Sequence, residues 1–228
     1  MPTLDRRTFL VMSASIVAGA RGALAAPQTT TPPPPVPWAD AGRVLASIVE
    51  IASADWSAHS GAVRDAIAGV RRDGEYLISR WKGTEGKPVP RGYVDGLQAD
   101  ADLLRTAQQT RPLTPPKEKQ VLETADDVRL KAQQCQQSKA GWAELVLVSV
   151  KTVDRTQQPA TGREVWYCPR GWADLESKWQ KFPTLSSPTQ ERIAPGMYMF
   201  RIGTGPSEPR RVGGDGLPQA ALELIVQR

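Results

Sequence analysis

The pattern of apolar and polar positions changes period once along the chain. From Trp38 to Ala140 apolar residues recur every three or four positions, the spacing of one helical face. Val44, Leu45, Ile48, Ile51, Ala52 and Trp56 form a first stripe. Val63, Ile67, Val70, Gly74, Leu77 and Trp81 form a second, with Gly74 a point where the helix is expected to bend or divide. Three glycines and two prolines between Gly83 and Gly92 impose a loop, and Val94, Leu97, Ala101 and Leu104 make a third stripe. A fourth helix opens with Thr114 as its cap, Pro115 where a missing N–H costs nothing, and Glu118 in the first turn. Its apolar face is Val121, Leu122, Ala125, Val128, Ala132 and Cys135, and Gly141 is its terminator.

At Gly141 the period falls to two. Val146, Val148 and Val150 alternate within Glu144–Val153. Arg163–Cys168, Thr189–Ile193, Met197–Ile202 and Ala220–Val226 are further expected strands, separated by Asp, Gly and Pro clusters. Ala194-Pro195-Gly196 is a tight turn between two of them. The expected fold class is α+β: an antiparallel four-helix bundle over residues 38–140, then a small antiparallel β-sandwich over 141–228.

The opening strand Val146–Val153 with its Asp154 turn, the step Ile193-Ala194-Pro195-Gly196-Met197-Tyr198 and the closing Leu222-Glu223-Leu224-Ile225-Val226 resemble the prealbumin-like (carboxypeptidase regulatory-like) modules of many exported proteins. The resemblance covers residues 143–227 and implies a β-sandwich. The segment Pro169–Pro188 is longer than such modules usually carry, and the helical half resembles no named family.

The N-terminus reads Asp5-Arg6-Arg7-Thr8-Phe9-Leu10, then a moderately apolar run to Ala20, then Ala23-Leu24-Ala25, small residues where a signal peptidase cuts. The paired arginines resemble a twin-arginine (Tat) signal over residues 1–25, which implies export of the folded protein to the periplasm. An apolar run this short is a signal core rather than a membrane anchor. Residues 26–37 follow as a proline-rich linker of extended polyproline type.

Composition narrows the function classes. Removing Arg6, Arg7, Arg21 and Asp5 with the signal takes the 29 basic and 24 acidic residues to 26 and 23, a net charge of +3. So small and dispersed an excess is no nucleic-acid footprint. The pairs Arg71-Arg72 and Arg210-Arg211 read as solvated surface. With one histidine and two cysteines, no metal site of the usual kind is expected, and no cofactor motif occurs.

Cys135 and Cys168 are expected to form a disulfide stapling the two halves, since disulfides persist in an oxidising compartment. Closing a loop of about 34 residues would contribute roughly 3–4 kcal/mol. His59 lies four residues after Asp55 and beside Ser57 and Ser60, but no nucleophile elbow accompanies it. The segment reads as an interhelical turn with a surface histidine. Asp95, Asp100, Asp102, Asp126 and Asp127 are the densest carboxylates and read as solvated helix faces. Gly213-Gly214-Asp215-Gly216 reads as a turn between strands, not a phosphate cradle. No catalytic residue is assigned.

The most unusual segment runs from Trp166 through Cys168, Arg170 and Trp172 to Trp179 and Phe182. A short helix over Ala173–Lys181 would set Trp172, Leu175 and Trp179 on one face. That face either packs the strand half onto the helices or presents an aromatic surface to a partner. The function expected from these observations is a non-catalytic periplasmic binding or adaptor protein, contacting a protein or glycan of the cell envelope through Trp172, Trp179 and Arg170. Two alternatives stand beside it: a cell-envelope hydrolase using carboxylates distant in sequence, and a structural subunit exported folded with a partner.

Overall fold

A computed structural model describes residues 34–82, 87–138, 142, 144–213 and 219–226. The signal, the linker up to residue 33, Gly141 and the Gly214–Gly216 turn lie outside the described residues. Four helices come first: α1 (Trp38–Ser53), α2 (Gly61–Trp81), α3 (Arg91–Gln109) and α4 (Pro115–Gln137). Seven strands follow: β1 (Val146–Val153), β2 (Val165–Pro169), β3 (Gln180–Lys181), β4 (Thr189–Ile193), β5 (Gly196–Ile202), β6 (Glu208–Val212) and β7 (Gln219–Ile225).

The helical stripes are the buried faces. All six positions of the second stripe, Val63 through Trp81, are buried in α2. Gly74 does not break that helix. It lets α1 approach so closely that a Cβ there would lie 2.8 Å from Val49 Cγ2. In α1, Leu45, Ile48 and Ala52 are buried, and the helix stops at Ser53. Trp56, beyond its end, folds back to donate from Nε1 to the Ile51 carbonyl at 3.0 Å, so its burial comes from the turn rather than from helical period. Helix α1 packs on α2 and α3, and α4 packs on the same two. Pro115 opens α4 as expected, but Thr114 makes no side-chain cap bond. Glu118 instead accepts from the Ser60 hydroxyl at the start of α2.

The strands form a three-stranded sheet of order β4-β1-β7 and a four-stranded sheet of order β3-β2-β5-β6. One core serves both, with Val146, Val148, Val150 and Leu224 from the first sheet and Val165, Tyr167, Tyr198, Phe200 and Val212 from the second. The expectation of antiparallel pairing throughout is corrected at one place. Strand β7 runs parallel to β1, from Leu147 opposite Gln219 to Val153 opposite Ile225. It arrives from β6 of the other sheet rather than by a hairpin off β1, so no tight turn imposes the antiparallel direction. Asp154 makes the turn read from the sequence, accepting from the Thr156 and Gln158 N–H groups at 2.8 and 3.0 Å.

The two halves are in contact: α4 rests on β5, and α3 rests on β2 and the turn that follows it. The end of the proline-rich stretch belongs to the fold. Val36 exchanges backbone hydrogen bonds with Val89 at 2.8 and 3.1 Å, and Arg91 Nε donates to the Pro34 carbonyl at 3.2 Å. No helix among the described residues is long and apolar enough to cross a membrane.

Candidate functional site

The tryptophan-rich segment is the joint between the halves. The expected helix over Ala173–Lys181 is absent; two short 3-10 turns, Arg170–Trp172 and Glu176–Lys178, stand in its place. Leu175 therefore points outward, 48% exposed, instead of sharing a face with the tryptophans. Gly171 lies so close to α3 that a Cβ would sit 2.1 Å from the Ala99 carbonyl oxygen. That approach lays Trp172 against the helix, where its Nε1 donates to Asp102 at 2.9 Å. Arg170 pairs with Glu123 of α4. Trp179 donates from Nε1 to the Ala173 carbonyl at 3.1 Å, and the Arg201 guanidinium stacks 4.0 Å from its ring centroid. Trp172 is 5% exposed and Trp179 8%. All three expected contact residues are thus engaged with this chain's own atoms, and the two rings show solvent almost no surface.

No disulfide joins Cys135 to Cys168; both are buried thiols. The expected staple is corrected by their surroundings. Cys135 belongs to the helical core, with Arg80 of α2 beside it. Cys168 neighbours Tyr167 on β2, so its side chain leaves the strand on the opposite face from that core tyrosine. Arg201, Glu176 and Asp174 are its charged neighbours there. Burial pushes both thiols up, Cys168 to about 12, so both stay protonated at neutral pH. The tie between the halves is instead the Gly171–Trp172 approach and the Arg170–Glu123 pair.

His59 is also corrected: it is buried, with its ring 5.0 Å from that of Trp56 and no hydrogen bond at Nε2. Asp55 does not serve it but accepts from the Ser57 N–H at 2.8 Å.

The carboxylates divide by environment. Asp126 pairs at the surface with Arg129 at 2.7 Å, as a solvated face would. Asp102 binds Arg105 and Trp172. Asp100 and Asp127 overturn the surface reading, because both are buried and both accept from Lys131 at 2.6 Å. Asp95 is half-buried. Desolvation raises its carboxyl above the usual range, against the pull of Arg91 and Lys178.

Asp95 opens onto a cleft of about 400 Å³ between the halves. Arg91 and Asp95 of α3 line one side with Pro35 and Pro90, while Tyr167, Gln180 and Lys181 of β2 and β3 line another. Glu191 and Arg192 of β4 complete the rim, with Tyr198 deeper. Strands β3 and β4 end their respective sheets, so the cleft is a lateral opening between two sheet edges that α3 roofs over. The Tyr167 hydroxyl donates to Gln180 Oε1 at 2.9 Å. Burial, then Glu191 and Asp95, raise it well above the ordinary phenol range. It therefore stays a neutral donor beside two carboxylates. At the other end of the strand orders a groove of about 640 Å³ lies between β6 and β7. It is made by the strand half alone, whereas the cleft gathers charge of both signs from both halves, the usual location of a ligand site.

Among the described residues no group of three or more His, Cys, Asp or Glu is placed to hold a metal ion. None of the three expected contact residues lines the cleft; Trp172 and Arg170 tie the strand half to the helices, and Trp179 packs within the strand half. Of the residues that do line it, Asp95 reads from the sequence as part of a solvated helix face, and the others carry ordinary sequence signals. Neither the known protein-family models nor the curated proteins include one that matches this chain.

Proposed function

We propose that this protein is an exported, non-catalytic binding or adaptor protein of the cell envelope that takes a protein or glycan partner in the cleft between its halves. In this reading the helices form an antiparallel four-helix bundle and the strands a prealbumin-like β-sandwich, and the Tat-type signal delivers the folded chain to the periplasm. The observation that carries it is the convergence of Arg91 and Asp95 of α3 with Glu191 and Arg192 of β4 onto one concave surface. Trp172 and Arg170 serve the partner indirectly, by fixing the two walls relative to each other, and Trp179 supports them by packing on Arg201. Affinity capture from native periplasmic and envelope extracts, with residues 26–228 and with the same protein carrying Arg91→Glu and Arg192→Glu, tests it. A protein or glycan retained by the first and lost from the second supports the cleft. Equal retention by both moves the contact elsewhere, and an empty capture by folded protein contradicts the binding role.

One observation favours a second reading, an envelope hydrolase. Asp95, with its raised carboxyl, and Glu191 meet in one cleft although they are far apart in sequence, as paired acid–base chemistry requires. Release of reducing ends or new termini from purified envelope polymers, abolished by Asp95→Asn, would support it. No release by wild-type protein would end it.

A further inference from the structure

The cluster of Asp100, Asp127 and Lys131 has an unequal charge count, and it lies where the two halves meet. Asp100 comes from α3; Asp127 and Lys131 are one turn apart on α4. The Lys131 side chain is 1% exposed, Asp127 3% and Asp100 10%, and the ammonium donates to both carboxylates at 2.6 Å. Two groups face the cluster from neighbouring positions: Tyr93 of α3 and Tyr198 of β5, both deeply buried and both held as neutral phenols. The backbone of β5 closes it, since a Cβ at Gly196 would lie 3.2 Å from Asp127 Oδ2. Lys131 also lies under Gly96 of α3, where a Cβ would be 3.6 Å from its Cε. Asp127 Oδ1 and the Tyr93 hydroxyl have no hydrogen-bond partner.

Two carboxylates against one ammonium leave a sealed charge of −1, and burying an uncompensated charge is costly. Binding one proton removes it. Lys131 is already held charged by the two carboxylates, so the proton goes to a carboxylate. Asp100 is the one that burial and the neighbouring Asp127 push up, to about 7, against the attraction of Lys131.

We propose that Asp100, Asp127 and Lys131 form a proton-operated latch between the helices and the sheets: with one proton bound the cluster is neutral and holds β5 against α3 and α4, and loss of that proton loosens the contact. The sign follows from linkage. A carboxyl raised from 3.8 to about 7 on folding binds more protons folded than unfolded between those values, so stability falls as pH rises through that window. From pH 5.5 to pH 8 the unfolding equilibrium constant should rise about thirtyfold from this group alone.

The test is urea denaturation at the two pH values, with hydrogen exchange of the α4 and β5 segments measured against β1 in the same molecule and corrected for intrinsic rates. Wild type should lose stability at the higher pH, with α4 and β5 exchange rising relative to β1. Asp100→Asn, which carries the neutral form permanently, should show neither change. Should that variant fail to fold, Asp127→Asn removes the excess charge another way and should also flatten the profile. A wild-type profile without the fall, an equal fall in either folded variant, or exchange rising uniformly over the molecule would overturn the latch. The proposal does not depend on what the cleft binds.

Discussion

Replacing Gly171 with alanine tests the joint at its tightest point. The added Cβ would lie 2.1 Å from the Ala99 oxygen and 2.7 Å from its carbonyl carbon, where real Cβ atoms do not come within 3.0 Å. Both atoms belong to the backbone of α3 and cannot swing aside, so the turn carrying Arg170 and Trp172 must retreat by roughly 1 Å. A retreat of that size stretches the 2.9 Å bond from Trp172 Nε1 to Asp102 beyond hydrogen-bond range. A bond to a charged acceptor contributes about 1.5–3 kcal/mol, and a gap of 0.5–1 Å forfeits a quarter to a half of the dispersion energy along a buried ring. The Arg170–Glu123 pair, with side chains only 16% and 27% exposed, adds about 1 kcal/mol. Together these give an expected loss of about 3–4 kcal/mol. Urea denaturation followed by tryptophan fluorescence should show an earlier midpoint with an unchanged slope. A variant within about 1 kcal/mol of wild type that keeps the Trp172–Asp102 bond would refute the argument that backbone contact sets the joint.

Gly42 is the matching control: it lies inside α1 and a Cβ there meets nothing within 4 Å, so Gly42→Ala should stabilise by about 0.5–1 kcal/mol, read as a later urea midpoint. Trp172→Phe keeps most of the buried ring but leaves Asp102 without the indole donor; a loss of about 2 kcal/mol is expected, and an unchanged midpoint would show that the bond contributes nothing. Because both thiols are buried and unbridged, reductant should leave the melting temperature of the protein unchanged. A clear drop on reduction, with a bridged peptide in non-reducing maps, would contradict that geometry.

Elements with strong periodicity were legible in the sequence. The α2 stripe and β4 were recovered residue for residue, because each buries one clean face of a regular element. Strand β6 carries no strand signal of its own, since Pro209 and the pair Arg210-Arg211 read as surface and only pairing with β5 makes them a strand. The short helix expected after Trp172 failed for another reason. Its turns are shaped by what they dock on, α3 and the outer face of the four-stranded sheet, rather than by local propensity. The same limit hid the site. Lys131 stands between Leu130 and Ala132 on a helix buried on more than one side, a position where a lysine is unusual. That signal points to a buried ion pair; Asp127 lies one turn away on the same helix, but the second partner, Asp100, lies one helix away. The cleft was less legible still, because its lining comes from α3, β2, β3 and β4, and only the docking of the two halves brings Asp95 and Glu191 together.

The most direct measurement is site-specific photo-cross-linking in living cells, with a photoreactive residue at position 91 in the cleft or at position 151 on an exposed face of β1. A discrete adduct at 91 and none at 151 is the expected result, and mass spectrometry of that adduct would identify a protein partner. An adduct at 151 alone, or equal labelling at both positions, would contradict the cleft as the binding surface.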